Sequence, residues 1–297
     1  MNETVKTKRP RKPKELENQP GKYDERNKLN DLTGKDWLLL TRSYWISETT
    51  TLDRTAYAHP APFMIEDVKK LISMYTKLGM TVLDPFVGSG TTLIAASLLN
   101  RNSIGIDLNE QYRDLFLNRA NDSKLSLGNA KYIVGDSLVC LDSVHDVDYI
   151  VTSPPYHNIL RNDSKGTRSN NGKQYRMAAR DGVGYYSEEP NDLGNFDEYC
   201  DFINAFSAIM KKAIACLKSS RYASIVISDF TVNKQEHPVI SDIVKSMIDI
   251  GYEYCGTTVL LQTVKPLYPF GYPYAYKINH HHQSIVTFRK PIDFVML

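Results

Sequence analysis

Residues 81–100 read TVLDPFVGSGTTLIAASLLN, and the change of pattern inside them decides the fold. TVLDPFV (81–87) is a short apolar run of strand type, and GSGTTLIAASLLN reads as a loop followed by a helix. Gly88 and Gly90 stand where the strand gives way to the helix. Glycine there permits positive φ and a close approach of a ligand to backbone N–H groups. The dinucleotide fingerprint needs Gly or Ala at position 93, where this chain has Leu93, and no GK[ST] ending marks a P-loop.

Working outward, the same alternation repeats. HPAPF (59–63) carries Pro60 and Pro62, which favour an extended turn, and MIEDVKKLISMYTKLG (64–79) has helical apolar spacing closed by Gly79. SIGIDLN (103–109), KYIVGD (131–136) and VDYIVTSPPY (147–156) read as further strands, with a helix over EQYRDLFLNRAND between the first two. A polar, glycine-rich stretch from Arg161 to Asn195 interrupts the order. Helix 196–220 and strand 222–230 restore it, followed by helix HPVISDIVKSMIDIGY and strands YEYCGTTVLLQ and QSIVTFRK (283–290). Strands alternating with helices predict a doubly wound, mostly parallel α/β sheet. The last two strands lack a helix between them and predict a hairpin that makes one edge antiparallel. LNDLTGKDWLLLTRSYW and the residues up to HPAPF read as irregular, with aromatic anchors.

Composition sets the class. The chain has 297 residues, 42% hydrophobic and 24% charged, enough for one large α/β domain without a disulfide or metal staple. Its four cysteines form no CxxC pair, so no metal site is expected and a reducing cytoplasm fits best. No apolar stretch is long enough for a membrane span, and the N-terminus lacks a secretory apolar segment. Net charge is +2, unevenly placed: residues 1–30 carry +4 and the remainder −2. KTKRPRKPK has no bulky apolar residue and is expected to be disordered, either as a solubilising tail or as an arm that binds phosphates. The domain reading is a basic arm over 1–30 and a catalytic domain over 31–297.

Three acids mark the ends of successive strands. Asp84 closes the first. Asp107 closes the second and is read as an acceptor for the two hydroxyls of an adenosine ribose, with a helix cap as the plainer reading. Asp136, followed by Ser137, either meets the amine of an adenine or caps the next helix. In open α/β sheets ligands bind at the carboxyl ends of the strands, so together these describe a nucleoside-cofactor crevice. TSPPY holds the equivalent place on the fourth strand. Two prolines stop that strand and stiffen the turn, which fixes carbonyl directions beside the crevice.

DPFVGSGTT followed by TSPPY resembles the amino-methylating DNA methyltransferases that use S-adenosylmethionine, and Ser-Pro-Pro-Tyr resembles their cytosine-N4 branch. HPAPF with its helix, GIDLN, GDS and LYPFGYPYAYKINHHHQSIVTFRK are similar to further segments of that family. The resemblance covers residues ~30–297, least well over 161–195. The order, with DPFVGSGTT before TSPPY, departs from the one common in the branch where SPPY is usual.

The resemblance implies transfer of a methyl group from S-adenosylmethionine to the exocyclic N4 of a flipped-out cytosine. Ser153 and the Pro154 carbonyl, held by Pro155, would accept the amine N–H bonds, and Tyr156 would stack on the base. Phe86, Gly88, Gly90, Thr91 and Thr92 would line the cofactor, with Asp107 on the ribose and Asp136 and Ser137 by the adenine. Asp84 would orient the loop or face the amino-acid part, and Phe63 would close over the cofactor. Double-stranded DNA is the implied partner. A cognate restriction endonuclease is admitted, and monomer and homodimer are equally open.

Within 160–195, Arg161, Lys165, Arg168, Lys173, Arg176 and Arg180 are interleaved with Asn, Gln and Tyr, types that bond phosphates and base edges. That segment is either a DNA-contacting insertion or a surface loop. PLYPFGYPYAY (266–276) is either a wall for the extruded base or a packed loop. His280, His281 and His282 read as a loop into the last strand rather than a metal tract. The rival readings are an adenine-N6 enzyme of the same fold, an RNA methyltransferase and a non-catalytic nucleic-acid-binding relative.

Overall fold

The computed structural model describes residues 19–58, 63–161, 167–170, 173–176, 186–232 and 235–294, with only the backbone for 57–58, 161, 167–170 and 173–176. The chain forms strands β1 (Tyr44–Ile46), β2 (Thr81–Asp84), β3 (Asn102–Asp107), β4 (Ala130–Val134) and β5 (Val147–Thr152). A hairpin β6 (Thr167–Asn170) and β7 (Lys173–Arg176) follows, then β8 (Leu217–Ile227), β9 (Phe230–Val232), β10 (Gln235–His237), β11 (Glu253–Leu261) and β12 (His282–Arg289). The helices are α1 (Gly34–Leu40), α2 (Ile65–Tyr75), α3 (Thr91–Leu98), α4 (Glu110–Asp122), α5 (Ser137–Cys140), α6 (Tyr199–Cys216) and α7 (Val239–Asp249).

Eight strands make one sheet in the order β1-β11-β12-β8-β5-β2-β3-β4. All pairings from β8 through β5, β2, β3 and β4 are parallel. β12 alone runs against its neighbours, β11 and β8, which gives the antiparallel side expected from the final hairpin. Beyond that hairpin lies β1, parallel to β11, in a region the sequence pattern reads as irregular. The helix α1 before it is likewise absent from the pattern. Its signal is local: the Thr33 hydroxyl accepts from the Asp36 amide at 3.2 Å as an N-cap.

Helices cover both faces. On one face α6 buries Phe202, Phe206, Met210, Ala213 and Ile214, which recur at three- to four-residue spacing, together with Ile150 and Leu83. Burying each such phenylalanine contributes about 2–3 kcal/mol. On the other face α2 and α3 pack Val68, Leu71, Ile72, Leu93 and Ile94 against Val82, Tyr149 and Val151. Every residue of β5 is buried, as a central parallel strand requires. The helix expected over 196–220 ends at Cys216, because LKSSRYASIVI pairs with both β5 and β12 and continues as strand. No helix among the described residues is long and apolar enough to cross a membrane.

The strand order reverses between β2 and β5. The chain runs from β2 outward to β3 and β4, then returns to place β5 on the other side of β2. The crevice outside the carboxyl ends of β2 and β5 is the switch point where such sheets bind ligands.

Candidate cofactor cleft and transfer site

At that switch point lies a cleft open to solvent, where sheets of this kind bind ligands. Each parallel strand supplies part of its wall. The turn after β2 gives Pro85, Phe86 and Gly88, β3 ends in it with Asp107, and the turn after β4 gives Asp136 and Ser137. Ser153, Pro154 and Pro155 follow β5. The sequence-predicted groups Phe86, Gly88, Asp107, Asp136, Ser137 and the Ser-Pro-Pro turn thus share one cavity.

Asp84 stands behind this wall. Its carboxylate accepts from the Phe86 amide at 3.0 Å, the Thr152 hydroxyl at 2.6 Å and the Thr92 hydroxyl at 2.5 Å. One buried acid therefore ties the turn after β2 to helix α3 and to the last residue of β5. Burial pushes its pKa up to about 6 against the pull of those three bonds. Thr92 is spent on that bond. Gly90 adopts φ 78 as the N-cap of α3, and a Cβ there would collide with the Phe116 ring. Thr91 is buried, its hydroxyl accepting from Arg119 Nη1 at 3.0 Å. Gly90, Thr91 and Thr92, expected to line the cofactor, are thus behind the cleft rather than on its surface. Phe63 is packed against the cluster formed by α2 and α3 and is not among the residues lining the cleft.

Other groups hold the loop from sides the sequence does not reveal. Arg119 on α4, 1% exposed, donates from Nη1 to the Ser89 carbonyl at 2.6 Å and the Ser89 hydroxyl at 3.0 Å. Burial lowers its pKa to about 10, which leaves it charged at neutral pH. The Tyr132 hydroxyl donates to the Gly88 carbonyl at 2.8 Å, and the Ser137 hydroxyl to the Pro85 carbonyl at 2.5 Å.

Asp107 accepts from the Gly88 amide at 2.8 Å and from the Asn109 amide at 2.9 Å. Burial raises its pKa to about 7, opposed by those two bonds and reinforced by Asp192 and Asp84. A carboxylate has about four lone-pair sites, so two remain for ligand hydroxyls. The cap of α4 is Asn109, whose side chain accepts from the Gln111 amide at 3.0 Å. Asp136 does cap α5, accepting from the Leu138 amide at 2.8 Å, and its other oxygen accepts from the Asn191 amide nitrogen at 3.2 Å.

The far wall of the cleft comes from Tyr186, Asn191, Asp192 and Leu193, with Ile209 of α6 and Tyr112 of α4. The sequence reads 160–195 as either a DNA-contacting insertion or a surface loop; within it, residues 186–195 bind the cleft's own motifs. Asn109 Nδ2 donates to the Tyr186 carbonyl at 3.0 Å, and the Tyr186 hydroxyl is hydrogen-bonded to the Tyr156 backbone. Tyr186 therefore spans from the turn after β3 to the turn after β5. Asp192 accepts from the Gly194 amide at 2.8 Å and the Ser187 hydroxyl at 2.6 Å, which fixes the turn. Nothing periodic marks these residues; the Asp192-to-Gly194 turn is the one local signal.

Tyr156, expected to face a base, is 9% exposed and lies edge-on to Phe230 with ring centroids 5.5 Å apart. Its hydroxyl accepts from Gln283 Nε2 at 2.8 Å. The ring anchors the Ser-Pro-Pro turn to the core. Beside it His157 is 2% exposed, against Phe202 and Tyr199, and burial lowers its pKa. Of the six predicted cations, Lys165 and Arg180 lie outside the described residues. Arg161 is described by its backbone in a short 3-10 turn, and Arg168, Lys173 and Arg176 by theirs in the β6–β7 hairpin.

Comparison with known proteins matches part of this chain. Residues 2–118 match the model of a DNA methylase family, N6_N4_Mtase. The chain is 36% identical over 121 residues to the Type II methyltransferase M.MthZI of Methanothermobacter thermautotrophicus, covering 36% of this chain and 32% of that protein. It is 40% identical over 68 residues to the orphan methyltransferase M.BamHII of Bacillus amyloliquefaciens, covering 23% and 26%. The matched stretches thus span about a third or less of these relatives. TrmN from Thermus thermophilus superposes with a TM-score of 0.51 at 14% identity, covering 81% of this chain and 52% of that one, a likeness of fold. Through residues 2–118 the chain matches the N6/N4 DNA methylase model, and its mostly parallel sheet shares the fold of TrmN.

Proposed function

We propose that this protein is a DNA methyltransferase that transfers a methyl group from S-adenosylmethionine to the N4 amine of an extruded cytosine. The observation that carries the reading is the shared cavity: the Ser153-Pro154-Pro155 turn and the nucleoside-type acids Asp107 and Asp136 wall one cleft. The donor set fits the cofactor. Asp107 keeps lone pairs for ribose hydroxyls, Asp136 faces the cleft with a carboxylate suited to an amine, and Phe86, Leu108 and Ile209 offer apolar wall. When bound, S-adenosylmethionine supplies an electrophilic methyl group on a sulfonium.

The chain's own part is to prepare the nucleophile. An aromatic amine is weakly nucleophilic because its lone pair is delocalised into the ring. Acceptors placed at Ser153 and at the Pro154 carbonyl bond its N–H groups and favour a pyramidal nitrogen. Pro154 and Pro155 restrict the turn, and the Thr152–Asp84 bond fixes its root, so the acceptors are oriented before the base arrives. The Tyr186 bond to the Tyr156 backbone braces the same turn from the cleft side. Double-stranded DNA is the substrate in this reading, with the base extruded because the amine is out of reach inside a stacked duplex.

The test is to incubate the protein with tritiated S-adenosylmethionine and, in parallel, mixed-sequence DNA or RNA, digest to nucleosides and identify the labelled one. N4-methylcytosine is expected. Label found only in N6-methyladenine overturns the choice of base, and label found only with RNA overturns the substrate.

A further inference from the structure

The loop joining β11 to β12, residues 262–281, rises from the same sheet edge as the Ser-Pro-Pro turn. Register fixes this placement, since Thr152 of β5 pairs with Ile225 and Ser284 of β12 pairs with Ile227. Its far root is tied to that turn by the bond from Gln283 to the Tyr156 hydroxyl.

Internal bonds clasp the loop. The Asn279 side chain accepts from the Tyr268 amide and donates to the Tyr268 carbonyl, both at 2.8 Å. The amides of Tyr274 and Ala275 both donate to the Gly271 carbonyl at 2.7 Å, and Gly271 has φ 74. Yet the tip of this bonded loop shows its rings to solvent. Tyr272, Tyr274 and Tyr276 are 81%, 94% and 88% exposed. Rings that exposed add almost nothing to the core, and they do not line the cofactor cleft.

The surrounding charge selects the partner. From Gln262 to Gln283 the chain itself has no Asp or Glu, and it has Lys265 and Lys277, both exposed; Glu236 of β10 meets the loop at its root, 2.8 Å from His280 Nε2. Exposed aromatic faces interleaved with cations and free of acids suit bases and phosphates together. Extruding a base leaves its former partner unpaired and its strand neighbours without a stacking contact beside the transfer site, and those groups need replacement contacts.

We propose that Tyr272, Tyr274 and Tyr276 form a stacking surface for the unpaired DNA bases left beside the transfer site when the target base is extruded. The surface is distinct from the cofactor cleft, and the proposal rests on the reading of the protein as a DNA-modifying enzyme.

The test compares wild type with a triple alanine variant (Tyr272→Ala, Tyr274→Ala, Tyr276→Ala) and the matching triple phenylalanine variant. The probes are a short duplex with one central unpaired cytosine, its fully paired counterpart and an RNA hairpin. The alanine variant is expected to keep the wild-type melting temperature and affinity for S-adenosylhomocysteine. It should lose affinity for the unpaired-base duplex by about tenfold or more, and more than for the paired one. The phenylalanine variant should retain affinity, because stacking uses the ring and not the hydroxyl. Equal binding by the alanine variant and wild type overturns the proposal, as does equal weakness of both variants or a loss confined to the RNA hairpin. Methyl transfer by wild type is measured alongside. Transfer that is present with alanine-variant binding unchanged sinks the stacking surface alone. Ring-dependent DNA binding without transfer sinks the enzymatic reading alone, and no DNA binding by wild type sinks both.

Discussion

Asp84 and Tyr274 mark opposite treatments of a polar side chain in one molecule. Asp84 is 3% exposed and receives three hydrogen bonds from three different elements. Tyr274 is 94% exposed at the tip of a loop that is bonded through its backbone and through Asn279. Around the cleft, side chains are used to hold backbone; in the β11–β12 loop, backbone is used to hold out side chains. The first arrangement fixes a cavity in advance of its ligand. The second presents faces whose partner lies outside the chain.

The largest effect should come from breaking the buried side of this contrast. Asp84→Ala leaves the Thr92 and Thr152 hydroxyls and the Phe86 amide without their acceptor. At about 1–3 kcal/mol for each unsatisfied buried group, the loss should reach about 4 kcal/mol. Urea denaturation reads this, and a loss under 1 kcal/mol contradicts the assigned role. Equivalent loss of a tip tyrosine should leave stability within about 0.5 kcal/mol.

Next in size is the pH dependence of Asp107. Its folded pKa, about 7, lies above the ordinary carboxyl value of 3.8. The folded chain therefore keeps a proton between pH 4 and 7 that the unfolded chain has lost. Its contribution to stability is greatest below about pH 4, declines as pH rises to about 7, and is constant above. Ligand hydroxyls prefer the carboxylate, so affinity for S-adenosylhomocysteine should move the other way. It should rise up to about tenfold per pH unit below 7 and level off above. Calorimetric titration across this range checks the sign, and Asp107→Asn should flatten the slope.

The smallest effect sharpens the link between the two halves of the site. Tyr186→Phe removes the bond to the Tyr156 backbone but keeps the ring in the cleft wall. Affinity for S-adenosylhomocysteine should hold, while the methyl-transfer rate falls by about tenfold or less, the worth of one hydrogen bond. A matching loss of cofactor affinity would show that the hydroxyl serves the cleft and not the turn.

The sheet was legible in the sequence where apolar runs end in Gly, Asp or Pro. That covers β2 to β5 and, through the strand-end rule, the placing of Gly88, Asp107, Asp136 and the Ser-Pro-Pro turn along one cleft; Phe86, also on its wall, comes from the family resemblance alone. What escaped depends on partners far along the chain. Gly90 reads as cofactor-lining until Phe116 is seen against it, and Tyr156 reads as a free ring until Gln283, 127 positions away, is found on its hydroxyl. Tyr186 to Leu193 have no periodicity, and their place is set by bonds to Asn109 and Asp136. β1 is only three residues long and is defined by pairing with β11.

The position of β12 carries a consequence for how the protein is made. It is the last strand among the described residues, yet it sits inside the sheet between β11 and β8, and its Gln283 seats Tyr156. During synthesis β2, β3, β4, β5 and β8 all emerge before it and can pair side by side. The parallel side of the sheet is thus complete in the emerging chain before β11 and β12 are available to pair on its other flank. The Ser-Pro-Pro turn is held through Asp84 and Tyr186 by segments made earlier and gains its Gln283 contact only when β12 pairs, so this edge of the sheet is completed in two stages.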